Sequence, residues 1–597
     1  MSDRIKKINI DTNKKRNIAM GIKGILFIFI PIVSFLLMEF YEHNPFIEVR
    51  SEAKLFNVVL FELISWILFF LCGSMKWALR IELVMAMVFG LVNHYVMLFR
   101  STPFVPWDIF SVKTAASVAG EYDFTPSARV IIVTLIFILI ILMVHFVDLK
   151  INLKIYFRII PVILISILLV IFGSKLQDEN FQTRHYLYPF LFTPTYMTNV
   201  NGMAVTFTMN LAYVAVEKPK GYDATEVKEE LDKYSKESNN EKNTNYPNII
   251  VIMDEAFSDL SVLGNLDTNV DYMPFIHSLQ KGYDNTVTGK LNVSVCGGNT
   301  ANSEFEFLTG NTMAFLPNGS IPYQQYIKEE TPSLASYLAD LGYSTYAQHP
   351  YYSSGWNRDK VYPLLGFENL SFIEDYYEPS IVRKYISDES SFDKIIDTFE
   401  EKEENKPAFI FNVTMQNHGG YTDEYYNLTN SVSAINCNSN ALNQYLTLIQ
   451  KTDSDIESLV NYFKTVDEDT VIVFFGDHQP SNAVASSVLN ANGIDVNNMS
   501  DEQQKLRYEV PYFIWANYDI ESKTDADTSI NYLAAQVLDV AGVKTSDYQN
   551  FLLELKNDYP VITATDVETT NQNEDLFNLY KKFQYYRLFD WEGESNE

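Results

Sequence analysis

Apolar residues are spaced in two different ways along this chain. Up to about residue 175 they form five long runs, near 20–40, 55–74, 79–98, 130–147 and 155–173, each close to the ~20 residues a helix needs to cross a hydrocarbon core ~30 Å thick. From Asn248 onward they form short β-branched and aromatic runs, NIIVIMDEAF, YSTYAQ, PAFIFNVTMQ, TVIVFFG and PYFIWAN, alternating with helical stretches such as TPSLASYLADLG. The long runs predict five membrane-spanning helices. The alternation predicts an α/β domain whose sheet is covered on both faces.

Basic residues orient the spans. They cluster in the first 18 residues, at Lys76 and Arg80 between the second and third runs, and at Lys150, Lys154 and Arg158 between the fourth and fifth. These are alternate sides of the membrane, and the positive-inside rule makes them cytoplasmic. Five crossings then place everything after residue 175 outside the cell. The first run is too long for a signal peptide, and four more follow it. The loop from Arg100 to Arg129 carries Pro103, Pro106, Trp107 and Phe110, which fit either an interfacial aromatic belt or a lipid-guiding surface. Between 175 and about 215, Pro189 and Pro194 interrupt an aromatic stretch, which predicts short helices on the outer leaflet rather than a sixth crossing. Ala224 to Lys236 reads as a charged helix, SKESNNEKNTNYP as a hinge, and NEDLFNLYKKFQYYRLF as a C-terminal helix.

Charge and cysteine content narrow the function classes. A formal net charge of −30 argues against nucleic acid as a partner, because phosphate backbones are gripped by Lys and Arg. Cys72, Cys296 and Cys437 are too few for a disulfide scaffold and lack zinc-type spacing, although Cys296 and Cys437 are left open as a pair.

Open α/β sheets gather ligands at the C-terminal ends of their strands, and polar groups recur there. NIIVIM ends in Asp254-Glu255, TVIVFFG in Asp477-His478, PAFIFNVTMQ in Asn417-His418-Gly419, and YSTYAQ in His349, followed by Trp356-Asn357-Arg358. Of the eight histidines, His349, His418 and His478 each follow a strand. The stretch VSVCGGNTANSEFEFLTG turns at Gly297-Gly298 and enters a helix at Asn299-Thr300. A hydroxyl there meets unpaired backbone N–H groups and the positive end of the helix dipole, which suits either a helix cap or a phosphate site. Glu255, Asp477, His478 and the Thr300 oxygen make a mixed oxygen and nitrogen donor set suited to Mn²⁺, with Mg²⁺ or Zn²⁺ also compatible. Asp254 rivals Glu255, since adjacent strand residues point to opposite faces. A metal would lower the pKa of the Thr300 hydroxyl and make it a nucleophile. Arg358 can bind phosphate oxygens, and His418 can protonate the leaving oxygen.

This ordered set, Glu255, Asn299-Thr300, Trp356-x-Arg358, Asn417-His418-Gly and Gly476-Asp477-His478, together with five spans and an outer α/β domain, resembles the lipoteichoic acid synthase family of membrane phosphoglycerol transferases, within the alkaline phosphatase and sulfatase superfamily. The resemblance implies that Thr300 attacks phosphatidylglycerol and releases diacylglycerol. A glycolipid-anchored glycerol phosphate chain then receives the phosphoglycerol on the outer face of a Gram-positive membrane. It also implies a Mn²⁺ site of Glu255, Thr300, Asp477 and His478, with His349, Trp356, Arg358 and His418 around the phosphoglycerol. The corresponding domain plan is a cytoplasmic N-terminus (1–18), a five-helix transmembrane domain (19–175), a membrane-surface and hinge linker (176–246), an extracellular sulfatase-like catalytic domain (247–560) and a C-terminal helical tail (561–597). Cys296 departs from the sulfatase pattern C-x-[PA]-x-R, because Asn299 and Thr300 follow it, which disfavours a sulfatase and leaves Cys296 as a small residue before the turn. Two further readings stand beside this one: a phosphoethanolamine or other phosphoalcohol transferase on the same scaffold, and a non-catalytic protein that binds cell-wall polymer.

Overall fold

A computed structural model describes residues 2–591 apart from 101–102, 112–123, 152, 189–193, 212–215, 236–245, 318–319, 422, 438 and 497. Most of the polar hinge and part of the proline-containing outer loop lie outside the described residues. The chain divides into two compact units, one made of Met1–Pro106 and Phe124–Ala215 and one made of Trp107–Asp123 and Val216–Glu597.

The first unit holds five helices long and apolar enough to cross a membrane: Met20–Glu39, Ser51–Cys72, Met75–Leu98, Ala128–Phe146 and Ile155–Leu176. The first extends back to Ser2. Spans of this kind satisfy every backbone group internally, which hydrocarbon demands. The short helices Pro194–Asn201 and Met203–Asn210 follow the fifth span. Polar anchors tie them to the bundle. The Asn57 side chain donates to the Asn201 carbonyl at 2.7 Å and accepts from Val205 N at 3.1 Å, and Glu39 Oε1 accepts from Met203 N at 2.7 Å.

The second unit is built on an eight-stranded mixed sheet. Its strands are β1 (Asn248–Asp254), β2 (Thr286–Asn292), β3 (Ser344–Gln348), β4 (Asn369–Ser371), β7 (Ala408–Val413), β8 (Thr470–Gly476), β9 (Glu509–Ala516) and β10 (Thr528–Ser529), while β5 (Ile381–Val382) and β6 (Tyr385–Ile386) form a separate hairpin. The order is β10-β2-β9-β8-β1-β7-β3-β4. The run β8-β1-β7-β3-β4 is parallel, and β9 is antiparallel to both of its neighbours. Strand alternation explains the two cores. Ile249, Val251 and Met253 of β1 pack with Phe305, Phe307 and Leu533 on one face, while Ile250 and Ile252 pack with Leu446, Ile449 and Phe474 on the other. Each such buried side chain contributes on the order of 1.5–3 kcal/mol, so the central strands form a rigid floor. The C-terminal helix Glu574–Tyr585 docks through Tyr580 and Phe583 on Tyr548 and Phe551 and on the charged helix Ala224–Asp232. Cys72, Cys296 and Cys437 are all free thiols.

Candidate active site

Strand register brings the site together. Asp254, the last residue of β1, pairs with Gly476, the last of β8, and Met253 pairs with Val413, the last of β7. The next residues on each strand are therefore neighbours at one sheet edge: Glu255, Asp477-His478 and Thr414. Gln348 of β3 pairs with Asn412 of β7, which sets His349 on the same edge. A Cβ on Gly476 would lie 1.9 Å from the Phe257 carbonyl oxygen, so only glycine lets the chain leaving β1 cross this close to β8. Ala256, with φ of 52°, turns the backbone so that its N–H takes Asp477 Oδ1 at 2.7 Å.

The turn before Thr300 is equally constrained. Gly297, Gly298 and Asn299 have φ of 73°, 148° and 69°, a left-handed sequence open to glycine and tolerated by asparagine. Asn299 is the N-cap of the helix Thr300–Thr309, with no side-chain capping bond. The expectation that the Thr300 hydroxyl caps its own helix is therefore corrected. Thr300 is the first helical residue, and its buried hydroxyl instead donates to Glu255 Oε2 at 3.2 Å. Ser303, one turn on, donates to the Asp477 carbonyl at 2.7 Å and locks the helix to the end of β8.

Glu255, Asp477 and His478 form the group among the described residues that can hold a metal, with one ligand atom from each lying within 4.8 Å of the others. His478 Nδ1 faces the Gln479 carbonyl at 2.9 Å, an acceptor, so Nδ1 carries a proton and Nε2 is turned into the site. Nε2 lies 3.2 Å from Asp477 Oδ2 and 3.8 Å from Glu255 Oε1. Both Nε2 and Oδ2 are buried without a hydrogen-bond partner among the described residues. Nitrogen and carboxylate donor atoms turned on one another in a buried site fit a divalent cation. Burial, and then the nearby Asp477, push the Glu255 carboxyl well above its usual range, and burial raises that of Asp477 although His478 opposes it. The two buried carboxyls thus crowd one another's charge, which an added cation would relieve.

Asp254 is not shared with this group. Its Oδ2 accepts from Thr414 Oγ1 at 3.0 Å and its Oδ1 from Asn417 Nδ2 at 2.8 Å. Asn417 also donates to Thr452 at 2.9 Å, and Thr452 and Gln416 both donate to Asp388 Oδ2. Thr414 Oγ1 accepts from Glu255 N at 3.1 Å and so links the two sets of acids.

The remaining sequence-derived candidates line the neighbouring side. Arg358 is buried and paired with Glu304, with Nε 3.1 Å from Oε1, and Tyr362 donates to the same carboxylate at 2.7 Å. His349 Nδ1 faces the Val413 carbonyl at 2.9 Å, and its Nε2 lies 3.1 Å from Arg358 Nη1. Burial and the Arg358 charge hold His349 well below the usual histidine range, so it is neutral and accepts from Arg358. Trp356 is half-buried, with φ of 54°. His418 Nδ1 lies 3.1 Å from the Tyr385 hydroxyl. Arg383 sits at the hairpin turn and donates to the Gln416 and His418 carbonyls at 2.7 and 2.6 Å. Sequence reasoning passed over Glu304, Asp388, Thr414 and Tyr385. Glu304 was open to it, because it stands four residues after Thr300 and so on the same helix face. Tyr385 was not, since nothing local to it announces His418.

Comparison with known proteins agrees with this architecture. The sulfatase family profile matches residues 247–543. A putative cyclic beta-1,2-glucan modification protein of Rhizobium meliloti (strain 1021) is 33% identical over 406 residues, covering 66% of this chain and 61% of that protein. The lipoteichoic acid synthase of Staphylococcus saprophyticus is 26% identical over 267 residues, covering 41% of this chain and 38% of that one. The chain therefore spans less than two thirds of these relatives. Among solved structures, the Streptococcus pyogenes phosphoglycerol transferase GacH in complex with sn-glycerol-1-phosphate superposes with a TM-score of 0.52 at 23% identity, over 62% of this chain and 95% of that one. The integral membrane lipooligosaccharide phosphoethanolamine transferase A of Neisseria meningitidis superposes with a TM-score of 0.51 at 12% identity, over 86% of this chain and 95% of that one. Both structural likenesses speak to the fold. The chain is thus a multi-pass membrane protein whose residues 247–543 are a sulfatase-family domain, and its relatives include lipoteichoic acid synthases.

Proposed function

We propose that this protein transfers glycerol phosphate from phosphatidylglycerol to an acceptor hydroxyl through a phosphothreonine at Thr300. The observation that carries the reading is the buried Thr300 hydroxyl, 3.2 Å from Glu255 Oε2 and beside the orphaned acceptors of Asp477 and His478. A threonine so placed has no role in capping its helix. A divalent cation, Mn²⁺ by preference and Mg²⁺ or Zn²⁺ otherwise, held by Glu255, Thr300, Asp477 and His478, would lower the hydroxyl pKa and offset phosphoryl charge. The chain's own groups do the rest. Thr300 Oγ1 gives its proton toward Glu255, its existing acceptor, and forms a bond to phosphorus. The bond from phosphorus to the diacylglycerol oxygen breaks, and His418 supplies the proton that oxygen needs. In the second half His418 takes the proton of the acceptor hydroxyl as that oxygen attacks phosphorus, and Thr300 leaves and regains its proton. Arg358 faces the phosphoryl oxygens, held in place by Glu304 and His349, and Trp356 bounds the glycerol.

The basic flanks of the spans support a cytoplasmic N-terminus and an extracellular catalytic domain, where the lipid donor is met at the bilayer surface. For the acceptor, the lipoteichoic acid synthase relatives support a glycolipid-anchored glycerol phosphate chain. A glycan acceptor is the second reading, favoured by the 33% identity to a protein named for glucan modification. The decisive assay incubates purified protein with fluorescent phosphatidylglycerol and Mn²⁺. Diacylglycerol should appear, and Thr300→Ala should reduce its release by more than about 10³-fold. Turnover of phosphatidylethanolamine in place of phosphatidylglycerol would transfer the assignment to a phosphoethanolamine transferase. Inertness toward both lipids, with or without acceptor, would leave a polymer-binding protein.

A further inference from the structure

The membrane unit carries a polar cluster that the proposed reaction does not use. Glu82, in the third span, is 2% exposed, and Ser34 in the first and Ser65 in the second are fully buried. Ser34 stands beside the Glu82 carboxyl, and Glu62, at the middle of the second span, lies within electrostatic reach of it. Ser65 is one turn from Glu62 on the same helix face. Packing fixes this level. The rings of Phe35 and Phe61, next in sequence to Ser34 and Glu62, lie 6.0 Å apart. A Cβ on Gly90 would come within 3.2 Å of the Met38 carbonyl oxygen, so the first and third spans are in close contact, and Ser34 and Glu82 both stand on the N-terminal side of that crossing.

The fold makes no use of these oxygens. Both Glu82 oxygens, Glu62 Oε1 and the Ser34 and Ser65 hydroxyls are buried without a hydrogen-bond partner among the described residues, and no basic group there acts on either carboxyl. Glu39 of the first span shows the alternative. It is as deeply buried, yet its Oε1 accepts from Met203 N at 2.7 Å and its Oε2 lies 3.5 Å from His43 Nε2. An acid within a membrane span costs free energy and is retained where a compensating group meets it; Glu39 has one, and Glu82 does not. Oxygen is the sole donor type in the cluster, which selects a hard cation. Glu82 is its one wholly enclosed acid, because Glu62 is half-buried and Trp66, one turn on, approaches its carboxyl. A single enclosed charge is cancelled by a single positive one, and a carboxylate supplemented by hydroxyls suits an ion that sheds its water more readily than Mg²⁺. We propose that Glu82, Ser34, Ser65 and Glu62 form a binding site for a monovalent cation, Na⁺ in the first instance, among the first three spans. The site shares no residue with the group of Glu255, Asp477 and His478 and does not depend on the transferase reading.

Equilibrium binding tests this directly. Full-length protein in neutral detergent is equilibrated with radioactive Na⁺ at mildly alkaline pH, with ionic strength held constant by N-methylglucamine chloride. A saturable site is expected, from which K⁺ or Li⁺ displaces the label and N-methylglucamine does not. Glu82→Gln, which keeps the shape and removes the charge, should weaken binding at least about tenfold, and Ser34→Ala and Ser65→Ala about two- to fivefold each. Glu39→Gln, a change to the acid that already has its partners, should leave the affinity within about twofold. Should Glu82→Gln fail to fold, the two serine variants carry the comparison. Absence of saturable Na⁺ binding to the wild-type protein overturns the proposal, as does an affinity that Glu82→Gln and both serine changes leave untouched. A cluster that answers to protons alone overturns it too: the wild-type melting temperature would then move with pH, Glu82→Gln would remove that movement, and added Na⁺ would do nothing.

Discussion

Asp254 and Glu255 are adjacent in sequence and both buried, and burial raises the pKa of both carboxyls, yet they belong to opposite kinds of environment. Asp254 has each oxygen occupied by a donor, from Thr414 and Asn417, within a network that runs through Thr452 to Asp388. Glu255 has the Thr300 hydroxyl and otherwise looks toward Asp477 and His478, whose inward atoms lack partners. The first region closes on itself. The second is complete only with something added. Burial alone therefore does not mark a site; what distinguishes the Glu255 side is hydrogen-bonding capacity that the fold leaves unfilled.

The contrast breaks most visibly through metal. Asp477→Asn and His478→Ala should each lower Mn²⁺ retained after dialysis by at least about tenfold, and unchanged occupancy in both would abolish the distinction. Thr414→Val strikes the closed side. It deprives Asp254 of a donor at a cost of about 1–3 kcal/mol, so the melting temperature should fall while Mn²⁺ content stays within about threefold; loss of metal without loss of stability would merge the two regions. Tyr385→Phe probes the edge of the open side by removing the hydroxyl that faces His418 Nδ1. It should lower kcat by up to about tenfold and displace one limb of its pH profile, whereas a uniform fall across pH would reduce Tyr385 to packing. Asp388→Asn gives the smallest change. Burial pushes this carboxyl from 3.8 up to about 8, so between those values the unfolded chain releases a proton that the folded chain keeps, and stability declines as pH rises through the window. The amide cannot ionise, so the variant should gain about 2–4 °C in melting temperature relative to wild type between about pH 5 and pH 8; a gain largest at acid pH would contradict the sign.

Much of this was legible in the sequence, because strand ends carry their own labels. NIIVIM and TVIVFFG are apolar on both faces and stop at acids, so register alone makes Glu255, Asp477 and His478 neighbours. The five spans follow from apolar length. Sequence could not reveal how side chains are committed once gathered. Thr300 looked like a cap because caps and nucleophiles share a helix entrance, and only the left-handed backbone at Asn299 separates the roles. Arg358 looked available to a phosphate, and its pairing with Glu304 needed the packing of two helices from different parts of the chain. Tyr385 reaches His418 across 33 residues, a distance at which composition carries no signal.

That pairing of Arg358 with Glu304 also dictates an order of events. Glu304 offsets much of the arginine's charge, so on the transferase reading proposed above a phosphodiester would bind well only once a cation had joined Glu255, Asp477 and His478. The order of binding would then follow from charge alone.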